Sequence, residues 1–138
     1  MIAVISIIVF SFFIDLKITN FIYIIIFTFL SSFILGAVGF IAGLWAEKFD
    51  HMATVTNFLI VPLSFLSGTF YSIDRLPSVL HKISELNPFF YMIDGFRFGF
   101  IGKTDGSIIY GIIYLTILSF ITWFISYLLY KRGYKIKS

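Results

Sequence analysis

The chain has no cysteine. That excludes a disulfide framework and any thiolate metal site, and it leaves the redox compartment open. Histidine is nearly as scarce: His51 and His81 stand alone, with no second ligand at metal-binding spacing. Charge is the third shortage. Charged residues make up 12% of the 138, against about 25% in a soluble domain, so the chain cannot cover itself with polar surface. What replaces charge is apolar, with 59% hydrophobic and 21% aromatic residues, and lipid is the solvent that suits such a chain. The few charges are also uneven. Lys131, Arg132, Lys135 and Lys137 crowd the last eight residues, which contain no acid; a tail of that kind faces the cytoplasm and anionic lipid. No basic stripe runs along a folded face, which argues against a nucleic-acid partner.

Four apolar stretches set the organisation, at about 20 residues per membrane crossing. Residues 1–14 are short for a span and carry neither a basic leader nor a small-residue cleavage site before "DLKITN"; they are expected to be a truncated span. Residues 21–46 form a full span in which Ser32, Gly36, Gly39 and Gly43 recur at steps of four, three and four. That spacing gathers small residues on one face, where a neighbouring helix backbone approaches closely. Residues 53–70 are broken by Pro62 and loosened by Ser64, Ser67 and Gly68, which predicts a kinked helix with a hinge at Pro62. Residues 108–130 hold no charge and carry tyrosines and a tryptophan mostly towards their ends, as interfacial aromatics do. With alternating crossings, a cytoplasmic tail places the "EKFDH" link inside as well. Lysine and arginine then number five on each side, and the four that abut the last span decide for a cytoplasmic C terminus.

Between the third and fourth stretches, residues 76–102 read as two short helices. In "LPSVLHKISELNP" Val79, Leu80, Ile83 and Leu86 share one face and Ser78, His81, Lys82 and Glu85 the other. Asn87 offers an N-cap and Pro88 the first position of the second helix. That helix carries Asp94 and Arg97, three apart and able to pair. The segment is too short and too charged for a comfortable crossing, so it is expected to be a hairpin on or dipping into the membrane surface, shielded by protein. The pair Asp94–Arg97 is either a structural ion pair or a group that acts in gating or substrate passage. Tyr71 and Asp74, at the mouth of the third stretch, carry the same two readings.

One motif is a decoy. "GKT" at Gly102, Lys103 and Thr104 ends like a phosphate loop, but the full pattern requires glycine where Arg97 stands, and no strand precedes it. No serine has the company of a base and an orienting group, so no catalytic residue, bound cofactor or metal is expected on this chain.

The residues "FLSGTFYSIDRLPSVLHKISELNPFFYMIDGFRFGFIG" resemble the signature region of ABC-2 type transporter permeases. The resemblance rests on Ser67, Gly68, Phe70, Tyr71, Leu76, Pro77, Leu86, Asn87, Pro88, Tyr91, Gly95, Phe96 and Arg97, at fixed spacing. It implies an all-α membrane protein, with residues 1–138 as the C-terminal portion of one transmembrane domain. About four transmembrane helices, the first truncated, would be joined by a short external re-entrant helical hairpin. It implies a six-span permease of which this chain would supply the last four, in the cell inner membrane. Its partners would be membrane lipid, a second permease copy and a cytoplasmic ATPase subunit that carries ATP and magnesium. Rocking of the spans would export a substrate, with Tyr71, Asp74, Asn87, Pro88, Asp94 and Arg97 as candidates for the hairpin and pathway. The resemblance also implies that an N-terminal amphipathic helix, two spans and a coupling helix lie outside these residues. The alternative is a small multi-pass protein that assembles or regulates another complex without transporting.

Overall fold

The computed structural model describes residue 5 and residues 18–46, 48–69 and 77–132. The described residues are helices and connecting turns, without a strand among them. Helix α1 is Phe21–Trp45. Helices α2 (Phe49–Val55) and α3 (Val61–Phe65) flank a π-helical turn over Thr56–Ile60. Helices α4 (Ser78–Leu86), α5 (Pro88–Ile101) and α6 (Ile108–Lys131) follow. Two of them, α1 and α6, are long and apolar enough to cross a membrane. Their outward side chains include Phe21, Ile22, Phe29, Ile109, Ile117 and Phe120, all exposed. In water such a surface would aggregate; in acyl chains it meets its own kind.

The core is the seam where α1, α5 and α6 meet. Phe27, Ile34, Phe90, Tyr91, Met92 and Leu115 are its buried apolar residues. Helix α5 is the most enclosed element, with Phe90, Tyr91, Met92, Asp94, Gly95 and Gly99 all buried. Its position follows from glycine. A Cβ added to Gly95 would fall within the Phe27 ring, and one added to Gly99 would fall on the Ile24 side chain and 3.1 Å from the Ile24 backbone nitrogen. Missing side chains at a four-residue spacing let α5 lie directly on α1, the geometry that small residues permit between membrane helices. On the other side, the Tyr91 ring approaches Gly111 of α6.

Register fixes direction. Gly99 lies by Asn20 and Ile24, and Gly95 by Phe27, so α5 runs antiparallel to α1. Tyr91 lies by Gly111, and the Tyr114 hydroxyl donates to the Leu86 carbonyl at 2.7 Å, so α5 is antiparallel to α6 as well. The two long helices therefore run parallel to each other. Consistently, Phe29, Leu30 and Phe33 share a groove with Thr116, Ser119, Phe120 and Trp123.

The face formed by Ser32, Gly36, Gly39 and Gly43 does not make this contact. At 100° per residue it lies roughly opposite Phe27, Leu30 and Ile34, and among the described residues nothing approaches within 4 Å of a Cβ built on Gly36, Gly39 or Gly43. The small-residue rule operates in this fold, but through Gly95 and Gly99 of α5.

The break predicted at Pro62 takes a particular form. Proline cannot donate a backbone hydrogen bond, and in a regular helix its ring would press on the carbonyl of Phe58. The chain widens just before it: the Val61 N–H reaches back five residues to the Thr56 carbonyl, a π turn that makes room for the ring. Helical structure runs from Phe49 to Phe65, starting and ending earlier than the predicted 53–70. It stops in a turn through Gly68, whose φ of +74° favours glycine. Phe70, Tyr71, Asp74 and Leu76 lie outside the described residues, as does the stretch 1–14 apart from helical Ile5.

Candidate functional site

Two polar nodes interrupt an otherwise apolar protein, one at each end of α5. The first is the corner between α4 and α5. The Asn87 side chain is 2% exposed and uses both ends. Its Oδ1 accepts from the Phe89 N–H at 3.0 Å, capping α5, with Pro88 at the first helical position. Its Nδ2 donates to the Leu63 carbonyl at 2.6 Å. That carbonyl is available because α3 ends there: the Ser67 N–H, which would have bonded to it in a longer helix, turns to Ser64 instead. One asparagine thus ties the corner to the helix that carries Pro62. Replacing Asn87 with alanine would leave the Leu63 carbonyl and the Phe89 N–H without these partners, a loss of about 1–3 kcal/mol. A fall in the detergent unfolding midpoint checks this, and a midpoint equal to wild type would show that the tie is idle.

The second node lies at the C-terminal end of α5. Helix α5 closes on Gly102, in the left-handed region at φ +73°, with its N–H on the Phe98 carbonyl. The chain then doubles back so that residues 104–106 face Asp94, a carboxylate that is 3% exposed. Four donors converge on it. Arg97 donates to Oδ1 at 2.6 Å, the Asp105 N–H to Oδ1 at 2.9 Å, the Gly106 N–H to Oδ2 at 3.2 Å, and the Thr104 hydroxyl to Oδ2. The same Arg97 nitrogen lies 2.9 Å from Asp105 Oδ2, so one guanidinium bridges two acids. Burial works to lower the pKa of Arg97, but Asp105 and Asp94 outweigh it and hold the pKa above its ordinary range. Gly106 makes the fold-back possible, because a Cβ there would meet the Phe90 ring at 3.0 Å.

The GKT-containing loop is therefore an anion cradle whose anion is the chain's own. Backbone amides that would face a phosphate in a nucleotide site face the Asp94 carboxylate. Close by, the backbone N–H groups of Thr19 and Asn20 both donate to the Gly99 carbonyl, at 3.1 and 2.9 Å, and the Thr19 hydroxyl donates to Phe100 at 2.9 Å. The entry to α1, the exit from α5 and the entry to α6 are thereby pinned at one end of the bundle.

The structure thus pairs Asp94 with Arg97 as the spacing predicts, and it places Asn87 and Pro88 at a capped corner. It leaves Ser32, Gly36, Gly39 and Gly43 facing outward. Thr104, Asp105 and Gly106, part of the loop set aside as a decoy, are partners of Asp94. The signal that would have found them was the loop itself, rich in groups that bind a carboxylate. Among the described residues no group of three His, Asp or Glu side chains is placed to hold a metal ion. What the two nodes offer is mechanical: rigid joints that fix a short buried helix between two long ones.

Comparison with known proteins supplies the family. The model of the ABC-2 type transporter family matches residues 1–101. The inner membrane transport permease YadH of Escherichia coli K12 is 32% identical over 129 residues, covering 92% of this chain and 50% of that protein. The nodulation protein J of Sinorhizobium fredii is 25% identical over 103 residues, covering 75% of this chain and 39% of its own length. The chain spans about half the length of the curated relatives it matches. No solved structure matches it. The chain belongs to the ABC-2 type transporter family.

Proposed function

We propose that this chain is the C-terminal part of the membrane-spanning subunit of an ATP-driven exporter. ATP and magnesium are held by a separate cytoplasmic ATPase, and the chain itself makes and breaks no bonds. The observation that carries the reading is the Asn87 bond to Leu63. It joins the α4–α5 hairpin to the Pro62 helix at its irregular segment, so motion of one is passed to the other. Helix α3 with its π turn acts as the hinge. The hairpin acts as an external, re-entrant lid, fastened to α6 where the Tyr114 hydroxyl donates to the Leu86 carbonyl.

The four spans of this reading are residues 1–14, 21–46, 53–70 and 108–130, in the cell inner membrane with the C terminus in the cytoplasm. The outward Ser32, Gly36, Gly39 and Gly43 face receives a neighbouring helix of the complete assembly, from the same permease or a second copy. Replacing Gly39 with leucine then leaves the fold of the chain unchanged, since the position is open, but lowers recovery of the assembly in mild detergent. Full recovery would remove this face from the interface.

The direct test of the function is affinity purification of the tagged chain from its native membrane. Recovery of an ATPase subunit, with ATP-dependent substrate movement in reconstituted vesicles, is the expected result. Recovery of another complex with no nucleotide-binding subunit would favour assembly or regulation in place of transport.

A further inference from the structure

A cleft of about 590 Å³ opens where α4 faces the 104–107 loop and the start of α6, lined by Lys82, Glu85, Tyr91, Asp105, Ser107 and Tyr110 among others. It is built wholly from residues 82–110, so every wall comes from one continuous segment. Its polar lining is of both signs. Lys82 has no ion-pair partner among the described residues. Glu85 lies 3.7 Å from the His81 ring, which restrains it without neutralising it unless the histidine is protonated. Asp105 is occupied by Arg97 and does not neutralise Lys82. The aromatic wall consists of Tyr91 and Tyr110, with ring centres 5.5 Å apart and planes at 56°. Tyr91 is buried and backs the wall, so the half-exposed Tyr110 ring is the face offered to the cleft, and an aromatic face near a carboxylate suits an organic ammonium.

The second observation concerns depth. Val79, Leu80, Ile83 and Leu86, the apolar face of α4, are all exposed, which suits a short amphipathic helix lying at the level of lipid headgroups. Tyr110 is in the first turn of α6 and half exposed, the place of an interfacial aromatic. Leu86, which also lines the cleft, is 71% exposed. A ligand here would have charges of both signs above and apolar surface below.

We propose that this cleft binds the zwitterionic headgroup of a phospholipid, with its ammonium against Glu85 and the Tyr110 ring and its phosphate on Lys82. The acyl chains run down past Leu86. The inference rests on the reading that α1 and α6 span a bilayer.

The test uses the full chain in detergent, titrated with phosphatidylethanolamine or phosphatidylglycerol of identical acyl chains and read by native mass spectrometry. Wild type is expected to retain phosphatidylethanolamine about tenfold more tightly, a difference that one charge-assisted contact supplies. Lys82→Glu is expected to weaken retention of both lipids through the phosphate they share while the preference for phosphatidylethanolamine stays, and Glu85→Lys to reverse the preference in favour of the anionic lipid. Equal retention of both lipids by wild type would overturn the site. So would a Glu85→Lys variant whose retention of the two lipids stays unchanged. Quenching of Trp45 and Trp123, both half exposed on the long helices, by brominated lipid reports insertion separately. Retained quenching without headgroup selectivity overturns the cleft alone, whereas absent quenching overturns the spanning reading and the cleft with it.

Discussion

Replacing Asp94 with alanine is expected to destabilise the protein by about 3–5 kcal/mol, the usual consequence of removing one partner from a buried charged network. The cost is large because the carboxylate is 3% exposed and accepts from Arg97, Thr104, Asp105 and Gly106 at once. Alanine leaves the Asp105 N–H without its acceptor, the Gly106 N–H with Thr104 alone and Arg97 with Asp105 alone. Asparagine at the same position keeps the shape and one acceptor oxygen, so it should lose less. The unfolding midpoint in detergent gives the magnitude, and the rate of tryptic cleavage after Lys103 shows whether the loop has opened. Asp105→Asn is the comparator, since the Asp105 side chain is 20% exposed and among the described residues is paired with Arg97 alone. An Asp94→Ala protein that matches wild type in both measurements would show that the loop stays closed without its acid.

The second large effect is steric. Gly95→Ala adds a methyl group that falls within the Phe27 ring, and Phe27 is itself 1% exposed with Gly111 close by. Overpacking of this kind costs about 1–3 kcal/mol. Gly99→Ala should be the worse of the two, because its methyl group meets Asn20 and Ile24 backbone atoms at 3.2 and 3.1 Å as well as the Ile24 side chain. A side chain can be trimmed and a backbone cannot. Accordingly, Phe27→Leu should restore much of the stability lost in Gly95→Ala, whereas Ile24→Ala should restore little in Gly99→Ala. Gly36→Ala, at an open position, should instead gain up to about 1 kcal/mol from helix propensity alone. Thermal unfolding of the set in one detergent decides the order. Equal losses at Gly36 and Gly95 would mean that the two helices do not pack through Gly95.

These variants also mark what the sequence makes legible and what it hides. The two long helices are plain, because more than twenty residues without a charge leave little alternative. The Asn87–Pro88 corner is equally plain, since both residues are strongly placed at helix starts. The packing face is harder. Ser32, Gly36, Gly39 and Gly43 form a run of small residues at helical spacing, and spacing alone cannot say whether a face meets its own chain or another. Gly95 and Gly99 obey the same rule but sit beside Asp94 and Arg97, which draw the eye to charge. The clamp is hidden for a related reason. Asp94 and Arg97 are neighbours in sequence, but Thr104 to Gly106 reach Asp94 only because the chain reverses at Gly102 and Gly106, a tertiary event that helical periodicity does not encode.

The parallel course of α1 and α6 has an electrical consequence. Neighbouring antiparallel helices cancel their dipoles, whereas parallel ones add them. Each peptide array carries about half a positive charge at its start and half a negative charge at its end, so this pair amounts to about one charge of each sign, separated by the thickness of the hydrocarbon layer. Helix α5 runs antiparallel to both and offsets part of this field near their positive ends, where Arg97 already matches Asp94 and Asp105. At the negative end Lys131, in the last turn of α6, and Arg132 beyond it stand where a helix terminus favours a cation.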